Sequence, residues 1–182
     1  MLGSSRTRNA ALDAICDMGG KAPSSCVTAV VASLSDKDGT TRMSAVAAVG
    51  SMVDAVALSK EALSQIKDLL SNTDAGVRAA AANALATMGP KASGCAEAVA
   101  ELLKDENEDT SGMALVMGNG GRRLPPQMRR PKAAAVTALG RMASEPHIAK
   151  ISEALNDSCW EVRLCAAEAL GELKDKAKGE VS

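Results

Sequence analysis

One line of residues recurs five times along this chain, and it narrows the possible folds more than any other feature. Each copy is anchored by one basic residue: Arg8, Arg42, Arg78, Lys132 or Arg163. Around Arg78 the apolar set is Val77, Ala80, Ala81, Ala84, Leu85 and Met88, the i, i+3, i+4, i+7, i+8, i+11 spacing of one stripe of an α-helix. The same offsets give Thr7, Ala10, Ala11, Ala14, Ile15, Met18, then Thr41, Ser44, Ala45, Ala48, Val49, Met52. They also give Pro131, Ala134, Ala135, Ala138, Leu139, Met142 and finally Val162, Cys165, Ala166, Ala169, Leu170, Leu173. Two offsets are alanine in every copy, the next is Ile, Val or Leu, and the last is Met or Leu. Alanines one turn apart let two helix backbones approach closely, and the larger residues fill the space where the axes diverge.

The composition fits closely packed helices. Alanine fills 35 of 182 positions and Trp160 is the only aromatic, yet 46% of residues are hydrophobic, so the interior must be aliphatic and fine-grained. Val and Ile fall in patterns of three and four rather than two, which argues against strands.

After each stripe comes a break and a second helical run ending in leucine. "MGGKAPSSCVTAVVASLSD" in the first unit and "MGPKASGCAEAVAELLKD" in the third share Met-Gly-x-Lys-Ala. Asp36, Asn72, Asp105 and Asp157 follow the second runs and are expected to cap the next first helix. Equivalent positions Ile15, Val49, Leu85, Leu139 and Leu170 lie 34, 36, 54 and 31 residues apart. Periods in the thirties with two helices each predict an all-α superhelical solenoid of about four and a half repeats. The repeats are placed at about 5–36, 37–72, 73–104 and 128–157, with a half-repeat at 158–175.

"DAGVRAAAANALATMG" and "SCWEVRLCAAEALGEL" resemble the HEAT repeat, particularly the short HEAT-like form that also occurs in phycobilisome bilin lyases. The resemblance covers nearly the whole chain. It implies fold more than function, because that family mainly supplies binding surfaces.

The 54-residue spacing marks an insert at 105–130. It opens with Asp105, Glu106, Glu108 and Asp109, carries the apolar "MALVM" with Met113, Leu115 and Met117, and closes on Arg122, Arg123, Arg129 and Arg130. An apolar pentapeptide between opposite charges suits folding back on the solenoid or docking on another protein. "GNGGRRLPP" is not a phosphate loop, since no strand precedes it and no GK[ST] follows.

Catalytic candidates are few. His147 is the sole histidine and is expected in a surface or capping role, so no paired metal-ligand motif can be drawn and no metal or cofactor is expected. The five cysteines contain no CxxC and read as reduced, small hydrophobes of an intracellular protein. Cys159 is the best nucleophile among them, but burial in tight helix joints is the better account. Trp160 either anchors a partner or covers the end of the preceding helix. The row Arg8, Arg42, Arg78, Lys132 and Arg163 is expected to be a structural ladder reaching carbonyls or acids of adjacent units.

The expected function is a non-catalytic protein-binding scaffold or accessory subunit of a larger assembly. It would use a concave second-helix face and the insert, with Arg122, Arg123, Arg129, Arg130, Met113, Leu115, Met117 and Trp160 as contact residues. The resemblance to bilin lyases implies chromophore handling as an alternative, although a chain without Tyr or Phe is poorly equipped for a large conjugated ligand. A third reading is nucleic-acid binding through the Arg-rich insert. A formal net charge of -1 gives it no bulk electrostatic support, so protein partners are expected instead. No apolar run reaches membrane-spanning length, and the expected location is cytoplasmic or inside an organelle after loss of a transit peptide.

Overall fold

The structure is a computed structural model, and it describes residues 5–108, 130–142 and 145–179. Among these residues there are helices and turns and no strand. The helices are α1 (Ser5–Met18), α2 (Val27–Ser33), α3 (Gly39–Ser51), α4 (Val53–Leu58) and α5 (Lys60–Leu69). They continue as α6 (Ala75–Met88), α7 (Ala96–Glu101), α8 (Pro131–Arg141), α9 (Ile148–Glu153) and α10 (Trp160–Gly179). Short 3-10 turns follow α7 and α9 at Leu102–Lys104 and Ala154–Asn156.

The striped helices pack on one another in chain order: α1 on α3, α3 on α6, α6 on α8, α8 on α10. The second runs lie against them, α2 on α3 and α5, α5 on α6, α7 on α8 and α9 on α10. This is an all-α solenoid, in which each unit is held by its neighbours. The consequence is sharpest in α6, where every residue from Gly76 to Ala86, and Met88, is buried. With Ala79, Ala82 and Ala86 on one side and Ala80, Ala81 and Ala84 on the other, a helix this small in cross-section fits between two others.

The stripes of α3, α6, α8 and α10 point inward, but that of α1 does not. Thr7, Ala10, Ala11, Ala14 and Met18 are exposed and Leu12 is the buried residue of that helix. Among the described residues no helix stacks on the outer side of α1, so its inward stripe has nothing to face.

Packing at the joints is tight enough to dictate glycine. A Cβ on Gly140 would lie 2.6 Å from Ala169 Cβ, so α8 and α10 meet with no room for one methyl group more. Gly89 ends α6 at φ 56°, where its N–H bonds back to the carbonyls of Leu85 and Ala86. Gly19 repeats that conformation at φ 55° after α1, which explains the shared Met-Gly of units one and three.

The capping expectation is corrected by two residues. Asp38, not Asp36, accepts the Thr40 N–H at the start of α3, and Asp74, not Asn72, accepts those of Gly76 and Val77 at the start of α6. Asp36, Asn72, Asp105 and Asp157 instead hold the turn before the helix, each accepting the backbone N–H two residues on.

Candidate functional site

Those four turn residues stand beside the recurring basic row. The Arg42 Nη1 donates to the carbonyls of Asp36 and Lys37, Arg78 Nη1 to Asn72 and Thr73, and Arg163 Nη1 to Asp157 and Ser158. One nitrogen thus ties each arginine to its own turn. The row also reaches the acid that follows the second run of its own unit, rather than an adjacent unit: Arg8 Nε lies 2.7 Å from Asp36, Arg78 Nε 2.6 Å from Asp105, and Lys132 Nζ 2.5 Å from Asp157. Arg163 is exposed and makes no ion pair among the described residues.

Burial opposes ionisation of Asp105, but hydrogen bonds from Arg78 and Asn107 outweigh it and hold the carboxyl below the usual aspartate value. Asp157 behaves alike, with Lys132 and the Cys159 N–H overcoming its burial. Lys132 is the counterpart: burial would lower its ammonium, yet Asp157 and Glu106 raise it.

The third and fourth units part around a cleft of about 300 Å³. Ala100, Leu103 and Ala154 form its apolar part, and Lys104, Lys132, Lys150, Glu153 and Asp157 line the rest. The insert leaves and returns at its edge. Glu106 binds Lys132 at 2.5 Å, and Arg130 joins Glu108 at 2.7 Å to the buried Glu161 of α10 at 2.8 Å. The two ends of the insert are therefore pinned together on the solenoid. Arg130 is committed to that clasp, whereas Arg122, Arg123, Arg129, Met113, Leu115 and Met117 lie outside the described residues.

His147 is a correction. It stands at the N-cap position of α9 but makes no side-chain cap bond there, and it is buried, 3% exposed, with Nε2 3.3 Å from Glu97 Oε1, bridging the third and fourth units. Cys95 and Cys165 are buried, and burial pushes both thiols up, away from the thiolate a nucleophile needs. Cys159 is half-buried with Sγ 4.0 Å from Glu161 Oε2, the same oxygen that accepts from Arg130 Nε. Trp160 is 58% exposed, and Leu164 one turn on is 43% exposed. No group of three or more His, Cys, Asp or Glu among the described residues is arranged to hold a metal ion. None of the described helices is long and apolar enough to cross a membrane.

Comparison with known proteins agrees with this architecture. A family model for HEAT repeats matches residues 128–181, the stretch holding α8, α9 and α10. The glycine joint at Gly140 and the rung from Lys132 to Asp157 lie within that matched stretch. A chain of the complex of CpcE and CpcF of phycocyanin lyase from Nostoc sp. PCC7120 shares the fold, with a TM-score of 0.59 at 23% identity, over 100% of this chain and 69% of that one. Two engineered proteins cover 94% and 96% of this chain, and 92% and 95% of their own, at 18% identity with TM-scores of 0.40 and 0.41. No curated protein matches the chain.

The cleft escaped sequence reading because Leu103 and Ala154 come from second helices on opposite sides of the insert. The available signal was the pair of charge runs at the insert's ends, Glu106 and Glu108 against Arg130 and Lys132.

Proposed function

We propose that this chain is a protein-binding subunit of a larger assembly, with the partner held along the second-helix layer and the 105–130 insert. The observation that carries the reading is the cleft between the ends of α7 and α9. Its apolar part offers an anchor for a side chain, and Lys104 and Lys150 at its sides suit an acidic or mixed-charge segment. The clasp of Glu106, Glu108, Arg130, Lys132 and Glu161 roots the insert at that same cleft, so a partner entering it meets both.

Tagged protein expressed at native level in its source is expected to bring down a stoichiometric partner, which the double variant K104E/K150E loses while its thermal melt is unchanged. Monodisperse chain with no stoichiometric partner under mild conditions contradicts the reading.

The likeness to a chain of the CpcE and CpcF complex supports a second reading, a lyase-like subunit that handles a bilin. A hollow of about 540 Å³ between α1 and α2, lined by Ala11, Leu12, Ile15, Ala29 and Val30, is large and apolar enough to enter that test. Purified protein mixed with a free bilin then shifts the bilin's visible absorption, and the I15E variant does not. An unchanged spectrum removes this reading. Nucleic-acid binding is weakened by the clasp, which takes Arg130 from the insert's arginines.

A further inference from the structure

Lys132 departs from the row it belongs to. At the equivalent place in the third unit, Arg78 spends its donors on Asp105 and on the carbonyls of Asn72 and Thr73. An ammonium has no fork with which to hold a carboxylate and two turn carbonyls at once. Lys132 keeps the rung to Asp157 and donates in addition to Glu106 Oε1, at 2.5 Å to each acid. The two acids differ in their surroundings. The Asp157 side chain is 6% exposed and also accepts the Cys159 N–H, whereas that of Glu106 is 70% exposed and has Lys132 alone as its partner among the described residues.

The backbone on either side of Glu106 is fixed independently of that contact. Asp105 is tied to Arg78 and accepts the Asn107 N–H, and Glu108 is bound by Arg130. The Glu106 side chain can therefore leave Lys132 by rotation alone, at the cost of one exposed ion pair, a kind worth little in water. Asp157 remains to hold the ammonium in place.

Lys132 lines the cleft between α7 and α9 together with Lys104 and Lys150, three ammoniums against the carboxylates of Glu153 and Asp157. Asp157 is spent on Lys132, which leaves the cleft short of negative charge. A carboxylate entering it competes with Glu106 for the same donor, while Ala100, Leu103 and Ala154 receive an apolar neighbour of that carboxylate. We propose that Glu106 is a built-in competitor of the partner: the cleft takes an aspartate or glutamate side chain of a partner protein, with an apolar residue beside it, and that carboxylate replaces Glu106 on the Lys132 ammonium. This role rests on the partner reading above and adds its regulation, because whatever holds Glu106 on Lys132 weakens the partner's grip.

The blocked peptide acetyl-Gly-Leu-Glu-Gly-amide, whose only carboxylate is its glutamate side chain, tests this by amide chemical-shift titration of the full chain. Wild type is expected to bind it with a Kd on the order of 1 mM, with the shifts centred on Ala100, Leu103 and Ala154. E106Q binds about three- to fivefold tighter, the range that loss of an exposed ion pair supplies. E153Q removes the same charge from the cleft without freeing Lys132, and changes affinity by less than about twofold. The same peptide with Gln for Glu binds wild type more weakly and gains nothing from E106Q. Thermal melts show that each variant is folded. Equal affinity of wild type and E106Q, or an equal gain in E153Q, overturns the competitor and leaves the partner reading standing. No shift at the cleft in any of the three proteins overturns both readings of this cleft.

Discussion

At the scale of single residues, the same amino acid at the same repeat position has opposite consequences. Gly140 faces Ala169 with no space for a Cβ, whereas Gly171 has open surroundings. G140A is expected to cost about 1–3 kcal/mol by forcing α8 and α10 apart. G171A is expected to gain about 0.5–1 kcal/mol from helix propensity alone. Urea unfolding at low micromolar protein measures both, and equal effects would show that the joint is not where the energy lies. The rung between Arg78 and Asp105 gives a pH signature. The folded carboxyl lies below its unfolded value, so the stability it adds is complete above about pH 4 and is lost as pH falls through the depressed folded value. D105N should lower stability at pH 7 by about 2 kcal/mol and flatten the acid limb of the stability curve. A difference from wild type that persists unchanged down to pH 2 would refute that account.

At the scale of the helix, identity comes from neighbours. α6 is alanine-rich along its length and would be marginal alone, yet it is buried on nearly every side. Leu85 in its last turn is 0% exposed, and L85A is expected to cost about 3 kcal/mol in urea unfolding, against about 1 kcal/mol for loss of the Asp74 cap in D74A. The stripe that places α6 was fully legible, because helical period and volume are written along the chain. The caps were legible only to within a turn: Asp36 and Asn72 are good cap residues, but each is already engaged by the N–H two residues on, and the cap passes to Asp38 and Asp74. The surface expectation for His147 failed because the residue is buried where the third and fourth units meet, with Glu97, fifty residues away, at its Nε2, and no local pattern reports that juxtaposition. The rungs between Arg8 and Asp36, Arg78 and Asp105, and Lys132 and Asp157 lie in the chemistry of the residues, but their geometry does not. Of the proposed contact residues, Trp160 stands exposed on α10 and Arg130 is held in the clasp, and neither arrangement has a local sequence pattern.

At the scale of the molecule, the solenoid is a row of units in which each helix pair is held by the pairs on either side. The insert interrupts the sequence of that row without interrupting its packing, because α6 packs directly on α8 and the clasp brings Glu108 to Arg130. Replacing residues 109–129 with a short Gly-Ser linker is therefore expected to change stability by no more than about 1 kcal/mol, while removing the partner-binding contribution of the insert. The central claim, that a stack of units rather than one shared core holds the chain, is tested most directly by native-state amide hydrogen exchange. Protection is expected to be greatest in α6 and α8 and to fall toward α1 and toward the far half of α10. Protection that is equal in α1 and α6, or highest at either end, would contradict the stack.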